Sequence, residues 1–195
     1  MDDAPNPETP ETVIADTVIA ETRRWLERAV IGLNLCPFAK AVVMKDQVRW
    51  VVSSARTPEA LAQQLQQELQ YLAEADPERV DTTLLIHPRA MTGFLDFHFF
   101  LQEAGAALRR LGLEGTLQIA SFHPGYVFAG AADDDIGNYT NRSPHPTLHL
   151  LREASIDRAV AAFPDAAEIY DRNIATLQRL GHAGWRALWV DRKDR

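Results

Sequence analysis

Four short runs, VRWVVS (48–53), TTLLI (82–86), LQIASF (117–122) and TLHLLR (147–152), are spaced apart by stretches of helical length, and this alternation constrains the fold more than any other feature. Each run is of strand length and too short to make a stable helix. The segments between them carry helical periodicity instead. After Thr57-Pro58-Glu59, a threonine cap with proline in the first turn, Leu61, Leu65, Leu69 and Leu72 recur about one turn apart. Phe94, Phe97, Leu101, Leu108 and Leu111 form a second stripe that ends at Gly112. Strands joined by helical crossovers predict an α/β fold with a mostly parallel sheet of about four strands flanked by helices, the crossovers being right-handed.

The flanks read in the same way. Ile14, Val18, Trp25 and Ala29, with Leu26 and Val30 beside them, predict a helix over 13–31 that stops at Gly32. TLHLLR reads as a strand rather than the start of a helix, because Ser155 caps a separate helix running to Phe163. Asp165 and Glu168 then make a capping-box pattern ahead of Ile169, Ile174, Leu177 and Leu180, with Gly181 closing that helix. The following HAGWRALW is expected to pack through its tryptophans.

Residues 1–10, acidic and proline-rich, have nothing to bury and are expected to form a disordered tail, leaving 11–195 as a single domain. A hydrophobic content of 46% is enough for one core in a chain of this length. The tail lacks the basic and apolar regions of a signal peptide, and no apolar run approaches membrane-spanning length. The single cysteine, Cys36, excludes an internal disulfide framework and points to a reducing compartment, so a cytoplasmic location is expected. A net charge of −7 with no lysine-rich run argues against a nucleic-acid partner, whose backbone is gripped by clustered positive charge. A small molecule is the expected partner.

Three His-Pro pairs stand out: LIHPRA at His87, SFHPG at His123 and SPHPTL at His145. Six histidines and eleven prolines placed at random would give well under one such pair. Proline removes a backbone donor and biases the preceding residue to extended geometry, so each pair ends a strand with its imidazole held. Ligands of open α/β sheets sit outside the carboxyl ends of the strands, which is where His87 and His123 fall. If His145 opens the last strand at that rim, then His145, Thr147 and His149 share one face and a polar cluster results. The 22 residues from 125 to 146 (GYVFAGAADDDIGNYTNRSPHP) are turn-rich and read as a functional loop.

The chemistry open to such a cluster follows from imidazole. His87, His123 and His149 are candidates for acid/base catalysis or for binding a divalent transition metal, with Glu153 or Asp133, Asp134 and Asp135 as carboxylate ligands. The spacing matches no HExxH or paired-cysteine motif. Tyr126, Asn141, Arg142 and Arg152 are candidate substrate-binding residues, the arginines as anion clamps, and Tyr139 is a further candidate in the same loop. His98, on the apolar side of its helix, reads as core packing or as a border to the cluster, and His182 as a helix-end residue. Cys36 is a nucleophile only if a histidine lies close by, and otherwise packs in the apolar cluster of Leu33, Leu35 and Phe38. His145-Pro146-Thr147-Leu148 has the form of one phosphoesterase unit of the 2H type, and because no second unit is found, a phosphoesterase of that type is the weaker alternative reading.

The blocks GLNLCPFAK, TLLIHP, SFHPGYVFAG and NYTNRSPHPTLHLLREAS, in this order, resemble an uncharacterised bacterial family known as domain of unknown function 1415. The resemblance implies no activity, substrate or cofactor. His87, His123, Asn141, Arg142, His149 and Arg152 fall on the matching blocks. The combined expectation is an enzyme acting on a small polar or anionic substrate in a histidine-lined cleft, with a non-catalytic module binding a small ligand or a protein as the alternative.

Overall fold

The computed structural model describes residues 10–162, 168–188 and 190. The expected tail up to residue 9, the helix end at Phe163 and the cap at Asp165 lie outside the described residues. Within them, α1 (Pro10–Trp25) is followed by a π-helical segment (Leu26–Ile31), α2 (Ala39–Met44), β1 (Val48–Val52), α3 (Pro58–Glu74), β2 (Thr82–Ile86), α4 (Phe94–Arg110) and β3 (Leu117–Phe122). A short 3-10 helix (Ile136–Thr140), β4 (Thr147–Arg152), α5 (Glu153–Ala162) and α6 (Ile169–Ala187) complete the order.

The four expected strands form one sheet in the order β1-β2-β4-β3. Its pairing corrects the expectation of a mostly parallel sheet: β1 and β2 pair parallel, whereas β4 lies antiparallel to both β2 and β3. The cause is the segment after β3. Parallel neighbours need a long crossover, usually helical. The 125–146 segment contains only the short 3-10 helix, and the chain re-enters the sheet at the end it left. Three strands nonetheless run in one direction, so β1, β2 and β3 end at the rim where β4 begins.

Helices cover both faces. On one, Leu61, Leu65, Leu69 and Leu72 of α3 and Phe97, Phe100, Ala104, Ala107 and Leu108 of α4 pack on Leu85, Leu117, Leu148 and Leu150. The four α3 leucines are fully buried, each worth about 1.5–3 kcal/mol of burial. On the other face, Val18 of α1 meets Leu84 and Ile86, while Trp25, Leu26 and Ala29 pack with Leu177 and Trp185 of α6 and reach Trp50 and Phe122.

Three local readings change: α5 starts at Glu153 directly after β4, so Ser155 lies inside its first turn with its hydroxyl on Asp81 and does not cap it. The first helix passes into π geometry, and Gly32 keeps right-handed torsions (φ −63°), so it is Asn34 (φ 55°) that turns the chain out of the helix. Gly32 is needed for another reason: a Cβ there would collide with the Arg28 carbonyl oxygen. α2, directly after the Cys36-Pro37 turn, has no counterpart in the periodicity reading. Gly181 (φ 62°) breaks α6 as expected.

Candidate functional site

At the rim, the His87 N–H donates to the Pro146 carbonyl (2.9 Å) and the His123 N–H to the Asn141 carbonyl (3.1 Å). The strand pleat turns both imidazoles toward α4. Phe97 lies against each of them, its ring centroid 5.5 Å from His87 and 5.2 Å from His123. Phe94, one turn earlier, is 5.5 Å from His123 and 5.1 Å from Tyr126.

The hydrogen bonds fix the ring protons. His87 Nδ1 lies 2.9 Å from the Ala90 carbonyl, which can only accept, so Nδ1 carries the proton and Nε2 the lone pair. His123 is the opposite tautomer: its Nδ1 accepts from the Gly125 N–H (3.0 Å), and its Nε2 donates to the Met91 carbonyl (3.2 Å). Adjacent carbonyls of one loop, 87–93, therefore receive the two rings. Met91 in that loop has φ 52°, a strained backbone for a side chain of its size. Desolvation pushes the His87 pKa down to about 4, outweighing the bond to Ala90, and it also lowers that of His123. Both rings are neutral at pH 7. His87 is fully buried, and its Nε2 has no protein partner among the described residues.

His145, Thr147 and His149 point to the opposite face, toward α1 and α6. His145 Nε2 lies 2.7 Å from Glu21 Oε2 of α1. His149 Nε2 lies 2.7 Å from the Thr82 hydroxyl, which itself donates to the Leu150 carbonyl (2.6 Å). His149 is therefore the donor in that pair, and burial pushes its pKa down. The expected four-histidine cluster is thus divided by the sheet. The cause is the pleat, since strand-ending His87 and His123 face one side while β4 pairs His149 with Leu84 and Ala120 on the other. Among the described residues no three His, Cys, Asp or Glu side chains gather closely enough to hold a metal ion, so His87, His123 and His149 do not form one ligand set.

The long loop is internally braced. Asn141 Nδ2 donates to the Ser121 carbonyl (3.1 Å), tying the loop to the end of β3. Arg142 donates through Nε to the Tyr126 carbonyl (3.1 Å) and through Nη2 to the Asp133 carbonyl (2.6 Å), with its guanidinium 4.3 Å over Tyr139. Those donors clasp the loop instead of facing a cleft as an anion clamp. Tyr139 is anchored against Trp185 and His182. Asp133 and Asp134 are exposed, and Asp135 caps the 3-10 helix through the Gly137 N–H, so the three do not form a metal cup.

Arg152 sits at the far end of β4, donating to the Ala75 and Val80 carbonyls, and Glu153 follows it there, so neither reaches the histidine rim. His98 is exposed rather than in the core, and it borders the site through Phe94 (6.1 Å). Cys36 is a partly buried free thiol, with no hydrogen bond to a histidine among the described residues.

Sequence reading missed three participants. Glu21 was legible, because it is an acid on the same α1 stripe as Val18 and Trp25. Thr82 and the fully buried Asn138 were not. Asn138 accepts from the Phe128 N–H (3.0 Å) and donates to the Ala132 carbonyl (2.8 Å), organising the loop from within.

A family model described as protein of unknown function (DUF1415) matches residues 17–187, most of the chain, and the protein belongs to that family. No curated protein and no solved structure matches it.

Proposed function

We propose that this member of an uncharacterised family takes up a small polar molecule at the rim where β2 and β3 end, with His87 Nε2 as the hydrogen-bond acceptor that recognises it. The observation that carries the reading is the buried imidazole lone pair at Nε2, fixed by the Nδ1 proton on Ala90 and without a protein donor among the described residues. Leaving such an acceptor unmet costs about 1–3 kcal/mol, which a ligand hydroxyl, amide or amine N–H would recover. Phe97 lies against the ring, and Phe94 and Tyr126 continue the aromatic surface past His123. Entry requires the 88–93 loop to move, and the strain at Met91 favours that movement.

The neutral tautomer favours recognition over proton abstraction, because a base with a pKa near 4 is weak at pH 7. An enzyme acting on the same molecule would use the same pair of rings, His87 to orient a donor group and His123 beside it. Uncharged donors fit better than anions, since Arg142 has given its Nε and one terminal nitrogen to the loop.

The test is a ligand screen with polyols, amides and amines, read by melting temperature and by the ring ¹⁵N resonances of histidine. A binder is expected to stabilise the wild type, shift the His87 Nε2 resonance and leave His87→Phe unaffected. Stabilising compounds that leave the His87 ring unmoved, or none at all in a broad library, would overturn the reading.

A further inference from the structure

We infer that the free edge of β3 is a homodimer interface, at which a second copy of this chain adds its own β3 antiparallel across a two-fold axis at Ile119. This surface is separate from the histidine rim, and the inference does not depend on the function proposed above.

The argument starts from which backbone groups β3 leaves open. The Glu153 N–H donates to the Thr116 carbonyl, so in the antiparallel register Thr116, Gln118, Ala120 and Phe122 turn their backbone groups toward β4. Leu117, Ile119 and Ser121 turn theirs to the open edge. Two of those groups are already used: the Leu117 N–H donates to the Leu113 carbonyl, and the Ser121 carbonyl accepts from Asn141 Nδ2. What remains, among the described residues, is a window of four groups, the Leu117 carbonyl, the Ile119 N–H and carbonyl, and the Ser121 N–H. Unpaired edges of this kind invite strand addition.

That window is its own complement. Antiparallel pairing of Ile119 with Ile119 of a second copy exchanges two hydrogen bonds. The same register sets Ser121 N–H of each copy opposite the Leu117 carbonyl of the other. Every open group is then used, and the two groups already spent within the chain are the ones this arrangement can do without. A two-fold axis requires such self-complementarity.

The side chains agree. A groove of about 400 Å³ runs beside this edge, lined by Leu101, Ala104, Gly105 and Leu108 of α4 together with Leu117 and Ile119. Its α4 wall is apolar and carries the small residues Ala104 and Gly105, which leave room for a helix, while Glu114, Gln118, Ser121 and Glu153 line the rest. A second α4, brought in by the strand pairing, would fill it.

The experiment is sedimentation equilibrium on the whole chain from 1 to 100 µM, combined with amide exchange at Ile119 and Ser121. Two variants probe different parts of the seam. Ser121→Pro removes an outward N–H that β4 does not use. Gly105→Glu puts a charge in the groove, where an added Cβ meets only Arg109 Nη1 at 3.8 Å, so the monomer is undisturbed. The expected result is a wild-type dimer with Ile119 and Ser121 amides protected, and a dimer dissociation constant raised at least tenfold in Gly105→Glu with its circular dichroism unchanged. A monomeric wild type at 100 µM would overturn the inference, as would a dimer that persists in both variants or one whose Ile119 amide exchanges freely.

Discussion

The two faces of the sheet treat the same dipeptide in opposite ways. On the α4 face, His87 and His123 are neutral rings pressed against Phe97 and bonded to backbone carbonyls of one loop. On the α1 face, His145 meets a carboxylate, Glu21, at 2.7 Å. In each case the His-Pro unit marks a strand end, but the environment is set by what packs over it: an aromatic helix face on one side, and a helix with an acid on its buried stripe on the other. The difference teaches that a histidine's place can be read from its own strand, whereas its partners depend on the elements packed over that strand end.

The largest effect is expected on the α4 face. His87→Ala would leave a cavity under α4 and orphan the Ala90 carbonyl, lowering stability by about 3–4 kcal/mol in urea unfolding. His87→Phe, which refills the space with a slightly larger ring but leaves the Ala90 carbonyl unpaired, should recover the packing part of that loss. If the two substitutions cost the same, the ring's contribution is not packing and the α4 face has been misread.

The next effect is on pH dependence. The His87 pKa near 4 in the folded chain compares with about 6.5 when unfolded, so between those values the unfolded state binds more protons. Stability from this group is therefore complete above about pH 6.5 and is lost as pH falls toward 4, by about 3 kcal/mol. His149, lowered in the same direction, adds to the slope. Urea midpoints between pH 7 and 4 should fall steeply in the wild type and less steeply in His87→Phe. An equal slope in both would show that His87 is not held neutral.

These expectations also mark how far the sequence carries. All four strands and the α3 and α4 stripes were legible, because period and capping are local: Thr57 does cap α3, accepting from the Ala60 N–H. Strand pairing was not legible. Nothing in TLHLLR says whether it joins the sheet parallel or antiparallel, since that depends on the path of the 125–146 loop. Because β4 enters between β2 and β3, it places His149 across the sheet from His87 and dissolves the metal triad. Arg142 and Arg152 looked like anion clamps because an arginine in a polar loop or at a strand end carries no mark of the carbonyls it will find. Each instead closes a turn of backbone, Arg142 at Tyr126 and Asp133, and Arg152 at Ala75 and Val80. What was legible is that His87 and His123 follow the ends of β2 and β3, and not which partners they meet there.

The smallest effect sharpens the comparison most. Glu21→Gln keeps the length and a carbonyl acceptor but removes the charge facing His145. Because the Glu21 side chain is 22% exposed, solvent screens part of the loss, and about 1 kcal/mol is expected. A double-mutant cycle of Glu21→Gln with His145→Asn should return a coupling of similar size, since the two groups touch. The cycle of Glu21→Gln with His87→Phe should be additive within about 0.5 kcal/mol, because those side chains lie on opposite faces. A backbone link between the two is the His87 N–H on the Pro146 carbonyl, next to His145, and neither substitution alters it. Non-additivity in that second cycle would mean that the rim responds as one unit through this bond. The neutral and acidic faces would then have to be treated as a single site rather than two.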